Sequence, residues 1–86
     1  MDDHKARILL DRERQRITAE LAGLGLAPID ELRRQLAAVE RAEERLKAGR
    51  YGLSVESGER IPDGRLEVLP TAERTLAEEE AFEQGQ

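Results

Sequence analysis

From Asp2 to Leu24 the apolar residues recur at helical spacing: Leu10, Ile17, Leu21 and Leu24 follow at steps of seven, four and three and so share one face. Arg12, Glu13, Arg16 and Glu20 point away from that face, and Arg14 interrupts it. No breaker intervenes before Gly23, so the pattern predicts a helix over about 3–23, with Asp2 as N-cap and Asp3 as a first-turn carboxylate. The run Gly23-Leu24-Gly25-Leu26-Ala27-Pro28 ends it. Pro28 suits the first position of a second helix over about 28–48, with Asp30 and Glu31 in its first turn and Gly49 just past its end. Ile29, Leu32, Leu36, Val39 and Leu46 occupy its a and d positions, Glu43 is the one polar break, with Ala42 beside it, and Glu43 and Lys47 form an i,i+4 pair. Two seams of about twenty residues each, joined by a short loop, predict an antiparallel helical hairpin over 1–49, a rod about 30 Å long.

The remaining residues, 50–86, read differently. Tyr51 to Ile61 alternates apolar and polar positions around Ser57-Gly58, the pattern of a short β-hairpin, with Gly58 supplying the positive φ of a turn. Pro62 to Leu69 offers one or two helical turns stopped by Pro70, and Thr71 caps a last helix from Ala72 to about Phe82, with Glu73 in its first turn. The fold class is therefore mainly α: a coiled-coil hairpin, then a small module with a β-hairpin and a C-terminal helix.

Composition narrows the chemistry. The chain has 86 residues, 38% of them charged and 2% aromatic, and a net charge of −5, so one small core built from Leu, Ile, Val and Ala is the ceiling. The absence of cysteine excludes disulfides, thiolate zinc sites, iron–sulfur clusters and a cysteine nucleophile. His4 is the single histidine and has no partner ligands at metal-site spacing. Ser54 and Ser57 have no recognisable base, and no phosphate-cradling loop or carboxylate pair is present, so no enzymatic activity is expected. No apolar run approaches the ~18–20 residues of a membrane span, and Met1-Asp2-Asp3-His4 does not open a secretory signal, so a cytoplasmic protein with no membrane partner is expected. Arg33, Arg34, Arg41, Arg45, Lys47 and Arg50 are dense on the second helix, yet Glu40, Glu43 and Glu44 interleave with them. That is the pattern of a solvated face, and sequence-specific DNA binding is not expected.

Four stretches of the module carry a resemblance. Ala48-Gly49-Arg50-Tyr51-Gly52, Ser57-Gly58-Glu59-Arg60-Ile61-Pro62, Arg65-Leu66-Glu67 and Leu69-Pro70-Thr71-Ala72 resemble the C-terminal module of the DksA/TraR family of bacterial RNA polymerase regulators. The resemblance covers about 47–78, and its signature positions here are Tyr51, Gly52, Gly58, Ile61, Pro62, Arg65, Leu66 and Pro70. In that family a coiled coil precedes a finger in which two Cys-x-x-Cys pairs hold one structural zinc. The matching positions are Ser54, Ser57, Thr75 and Glu78, so the resemblance implies a degenerate finger. Neutral hydroxyls and one carboxylate do not make a tetrahedral zinc site, so no cofactor is expected. The metal's role would pass to hydrogen bonds among these four side chains and to a small core of Leu53, Val55, Ile61, Leu66, Val68, Leu69, Leu76 and Phe82.

By the same resemblance the expected function is transcription regulation by binding RNA polymerase through its secondary channel, with the hairpin inserted tip first. Strongly acting members carry Asp-x-x-Asp-x-Ala at the tip; this chain lacks that pattern and offers Asp30 and Glu31 as the candidate contacts. The alternative is a non-catalytic helical interaction module, an adaptor or one whose seam pairs with itself, Arg14 and Glu43 setting the register.

Overall fold

The computed structural model describes residues 1–24 and 26–85, Leu24 by its backbone alone. The seam position of the Leu24 side chain, the part of Gly25 in the turn, and Gln86 lie outside the described residues. Helix α1 (Asp3–Ala19) begins as its sequence predicts: the Asp2 side chain accepts the Lys5 N–H at 2.8 Å. Regular helix stops short of residue 23. It widens into a π-type turn, Glu20–Leu24, in which Gly23 takes φ 95°. A left-handed residue ends a helix, and glycine adopts that conformation without a Cβ clash. Helix α2 (Ile29–Lys47) follows, and Pro28, with ψ 141°, is its N-cap rather than its first residue.

The hairpin is built in rungs. Ala6 and Leu10 pack with Ala42 and Leu46 at one end, and Ile17 packs with Leu32 and Val39 at the other, flanked by Leu21, Leu36 and Ala27. Between the two clusters the polar breaks meet each other: Arg14 Nη2 donates to Glu43 Oε1 at 2.6 Å and Nε to Oε2 at 3.3 Å. This two-pronged pair is half-buried, so each break in the seam is answered by the other, and a one-turn slip would set both charges against apolar side chains. Glu43 therefore does not pair with Lys47, which reaches Glu44 instead. Ile29 is 58% exposed rather than on the seam.

Three sequence expectations for the module are corrected. Among the described residues there is no strand: the hairpin pattern reduces to a single antiparallel bridge, Leu53 with Arg60, because the Ser54 oxygen gathers the following N–H groups into a tight loop. The last helix starts later than Ala72. Residues 70–75 form a turn and an extended approach, and α4 (Leu76–Gln84) is capped by Thr75, not Thr71. Thr75 and Glu78 complete a reciprocal capping box, which outcompetes a lone hydroxyl. The eight-residue core also shrinks. Ile61, Leu66 and Ala72 are buried, while Val55, Val68, Leu69, Leu76 and Phe82 face solvent. Helix α3 (Asp63–Val68) has under two turns and buries only Leu66, and α4 buries nothing.

Met1 and Tyr51 pack against both the Leu10–Leu46 cluster and the Ile61–Leu66 cluster, so the module sits on the open end of the hairpin. The Tyr51 hydroxyl donates to the Pro70 carbonyl at 2.7 Å, and burial pushes its pKa up to about 12. Lys5 reaches Glu67 at 2.7 Å, and Arg41 and Arg45 both reach Glu73, at 3.2 and 3.3 Å.

Seam truncation is expected to discriminate sharply. Ile17→Ala, at a fully buried rung, should cost about 2–5 kcal/mol, whereas Ile29→Ala should stay within about 0.5 kcal/mol, both read from urea-unfolding midpoints at constant m-value.

Candidate functional site

Residues 54–57 form a short loop and residues 75–78 the capped first turn of α4, and the two are closed in the same way. In the first, Ser54 Oγ accepts the N–H groups of Glu56 and Ser57 at 3.1 and 3.2 Å. In the second, Thr75 Oγ1 accepts the Glu78 N–H at 3.3 Å while Glu78 Oε1 accepts the Thr75 N–H at 2.8 Å. In each, the hydroxyl of the first residue takes the N–H of the fourth, a local bond that closes a turn or a helix start. Ser54 is 5% exposed, the one buried polar residue among those described.

The Glu78 carboxylate lies near both segments. The Ser57 hydroxyl, the Thr75 N–H and the Ser54 hydroxyl hold its pKa down to about 2, below its ordinary 4.5, by hydrogen bonding to the charged form. The sequence-predicted positions Ser54, Ser57, Thr75 and Glu78 thus meet at one place. Around them the Val55 N–H donates to the Glu73 carbonyl at 2.8 Å, and Ser57 Oγ accepts the Glu59 N–H at 3.1 Å.

This donor set does not suit zinc. The hydroxyl oxygens already accept backbone N–H groups, the carboxylate accepts an N–H and hydroxyl protons, and no thiolate or imidazole is near. Among the described residues no group of three or more His, Cys, Asp or Glu could hold a metal ion.

The signature residues frame this knot. Gly58 takes φ 77°, as its turn requires, and the Ile61 N–H donates to the Gly52 carbonyl at 2.8 Å. Pro62 caps α3, Arg65 Nε donates to the Arg74 carbonyl at 3.0 Å, and Ile61, Leu66 and Pro70 are buried. The sequence reading missed Arg74 and placed Glu73 in the first turn of the last helix, whereas Glu73 lies in the approach to it. Arg74 donates to Glu56 at 2.8 Å and lies 3.9 Å over the Phe82 ring, linking the first loop to α4; Glu73 links the second loop to α2 through Arg41 and Arg45. No spacing rule marks Arg74 or Glu73, but Thr-x-x-Glu before an apolar residue is itself a capping-box signature.

Asp30 and Glu31 are not part of the knot. They lie in the first turn of α2, and a 19-residue helix places its two ends about 28 Å apart. Asp30 is exposed, whereas Glu31 is bound by Arg34 at 2.6 Å and by Gln35, which hold its carboxyl below the ordinary range. Leu26, just before them, is fully exposed.

Because the Glu78 pKa is depressed on folding, the stabilisation it gives is fully present above about pH 4.5 and is lost as pH falls toward 2. The stability gap between the wild type and Glu78→Gln should therefore be constant near neutrality and close between these pH values, as read by chemical denaturation at a series of pH values. At pH 7, Thr75→Ala should cost about 1 kcal/mol as a lost cap. Ser54→Ala should cost about 1–3 kcal/mol, since it leaves two N–H groups without an acceptor.

No protein-family model matches the chain, and no curated protein does so. Solved structures do match. One is Dks from Chlamydia trachomatis L2, described as an RNA polymerase binding protein and transcriptional regulator; it is 27% identical, with a TM-score of 0.71 over 99% of this chain and 94% of that one. Another is the transcription factor DksA2 from Pseudomonas aeruginosa, 27% identical, with a TM-score of 0.76 over 95% of this chain and 83% of that one. Hairpin and module together are similar in fold to these DksA proteins, and this chain has no cysteine.

Proposed function

We propose that the chain is a non-enzymatic transcription regulator that binds RNA polymerase, entering the secondary channel with the hairpin tip foremost. The observation that carries this reading is the extent of the likeness: nearly the whole of this chain superposes on nearly the whole of a protein named as an RNA polymerase binding regulator. The hairpin supports it mechanically. Two apolar clusters and the Arg14–Glu43 pair stiffen a narrow rod whose far end exposes Leu26, Ile29 and Asp30. Asp30 is the acidic group free to meet a partner there, because Glu31 is committed to Arg34 and Gln35.

In the same reading the module works without zinc, the knot at Glu78 holding the two loops that a metal would otherwise join. The self-pairing alternative loses its main support, since the two polar breaks that would have set register between copies satisfy each other within one chain. No helix is long and apolar enough to cross a membrane among the described residues.

Binding to purified core RNA polymerase tests the proposal. The wild type is expected to bind at micromolar concentration, and Asp30→Asn combined with Leu26→Ala to bind at least about tenfold more weakly, a loss of about 1.4 kcal/mol. Absence of binding by the folded wild type would overturn the reading.

A further inference from the structure

Most exposed apolar side chains of this protein are scattered, but three are not. Val68 and Leu69, at the end of α3, and Leu76, at the start of α4, are 87%, 44% and 58% exposed, and together they line a single groove of about 470 Å³. That volume lies in the ordinary range of binding clefts, about 300–1,000 Å³. The groove is a consequence of the fold: α3 spends its one buried position on Leu66 and so turns Val68 and Leu69 outward, and the capping box at Thr75 fixes where α4 starts and hence where Leu76 stands. Contiguous exposed aliphatic surface of this kind on a small protein marks a contact site.

The rim says what the groove would accept. Its charged residues are Arg60 and Arg65, on a chain whose net charge is −5. Arg60 forms no salt bridge among the described residues, and Asp63, the acid that feels its charge, is bonded to the Met1 amine at 2.9 Å. Arg65 uses Nε on the Arg74 carbonyl and leaves the rest of its guanidinium toward the groove's edge. The acidic residues at the start of α4 are turned elsewhere, Glu78 into the hydroxyl knot and Glu79 toward Arg74 at 3.6 Å. An apolar floor with two cationic groups at its edge complements a bulky aliphatic or aromatic side chain flanked by carboxylates. With two cations on its rim and four apolar residues in its lining, the groove suits such a side chain better than a phosphate backbone, which needs several cationic contacts.

We propose that this groove between α3 and α4 is a docking site for an acidic segment of a partner protein that inserts a large apolar side chain over Val68, Leu69 and Leu76. The inference is independent of the polymerase reading, because the groove belongs to the module and shares no residue with the hairpin tip.

The test is selection of displayed random peptides on the full chain, with counter-selection on Val68→Glu, a variant that alters an almost fully exposed position. Peptides that survive should combine Leu, Phe, Trp or Met with Asp or Glu. A synthetic survivor should shift the backbone amide signals of Arg60, Val68, Leu69 and Leu76, and Val68→Glu and Leu76→Ala should each weaken it at least about tenfold. Replacing its acids by Lys should abolish binding to the wild type and restore it to Arg60→Glu. The proposal is overturned if no peptide separates the wild type from Val68→Glu or if the survivors are basic. Amide shifts confined to the hairpin, or vesicles of phosphatidylcholine and phosphatidylglycerol binding through Val68, would also overturn it.

Discussion

The Glu78 carboxylate is where the two loops of the module converge, and most of the remaining geometry follows from that convergence. The Val55 N–H to Glu73 carbonyl bond joins the two segments directly, and Glu78 stands beside it, its charged form favoured by the Ser57 and Ser54 hydroxyls and the Thr75 N–H. With Val55 bound in this way, Glu73 faces α2 and takes both Arg41 and Arg45. Those two ion pairs, with Lys5 to Glu67 and the Tyr51 hydroxyl to Pro70, fix the direction in which the hairpin leaves the module. Exposed ion pairs contribute little singly, but Arg45 is largely buried, and Tyr51 adds apolar contact on both sides of the junction. Hydrogen bonding to Glu78 favours its charged form, which offers acceptors alone where a protonated carboxyl would also present a donor.

The hairpin solves a different problem by a related device. A short two-helix rod has a narrow seam, and an all-aliphatic seam in a helix pair leaves register weakly specified. Arg14 and Glu43 specify it, at the boundary between a small-residue cluster containing Ala6 and Ala42 and a larger-residue cluster containing Ile17, Leu32 and Val39. Specificity in both halves of the protein thus comes from charged groups that are satisfied across the chain. The aliphatic residues supply burial but are few.

The helical hairpin was legible in the sequence because its signal is periodic and repeated. Leu10, Ile17, Leu32, Val39 and Leu46 are buried as their spacing implies, Leu21 and Leu36 are partly buried, and Ile29 departs from the pattern. The module was legible by other means. Its strands were not real, since alternation over so few residues cannot distinguish a ladder from a serine-closed loop, and its last helix began at the reciprocal cap instead of the first available hydroxyl. The four positions Ser54, Ser57, Thr75 and Glu78 were found through resemblance; the Thr75–Glu78 cap is carried by a local pattern, but the approach of Ser54 and Ser57 to Glu78 is a tertiary fact that none carries. The partners of Arg74 and Glu73 were invisible for the same reason, since they lie far along the chain. The exposure of Val68, Leu69 and Leu76, which a hydropathy argument would bury, is what leaves the module a surface groove.

In isolated zinc-finger peptides the metal supplies ~10–16 kcal/mol of folding free energy, so the proposal that this module works without it requires stability from other sources. Those sources are the Glu78 knot, the buried Ile61–Leu66–Ala72 cluster, and the junction with the hairpin. Thermal unfolding of the purified chain with and without a strong chelator, alongside elemental analysis, tests this most directly. The account predicts superimposable melting curves and no stoichiometric metal; tightly bound zinc at one per chain, or a melting temperature that falls on chelation, would contradict it.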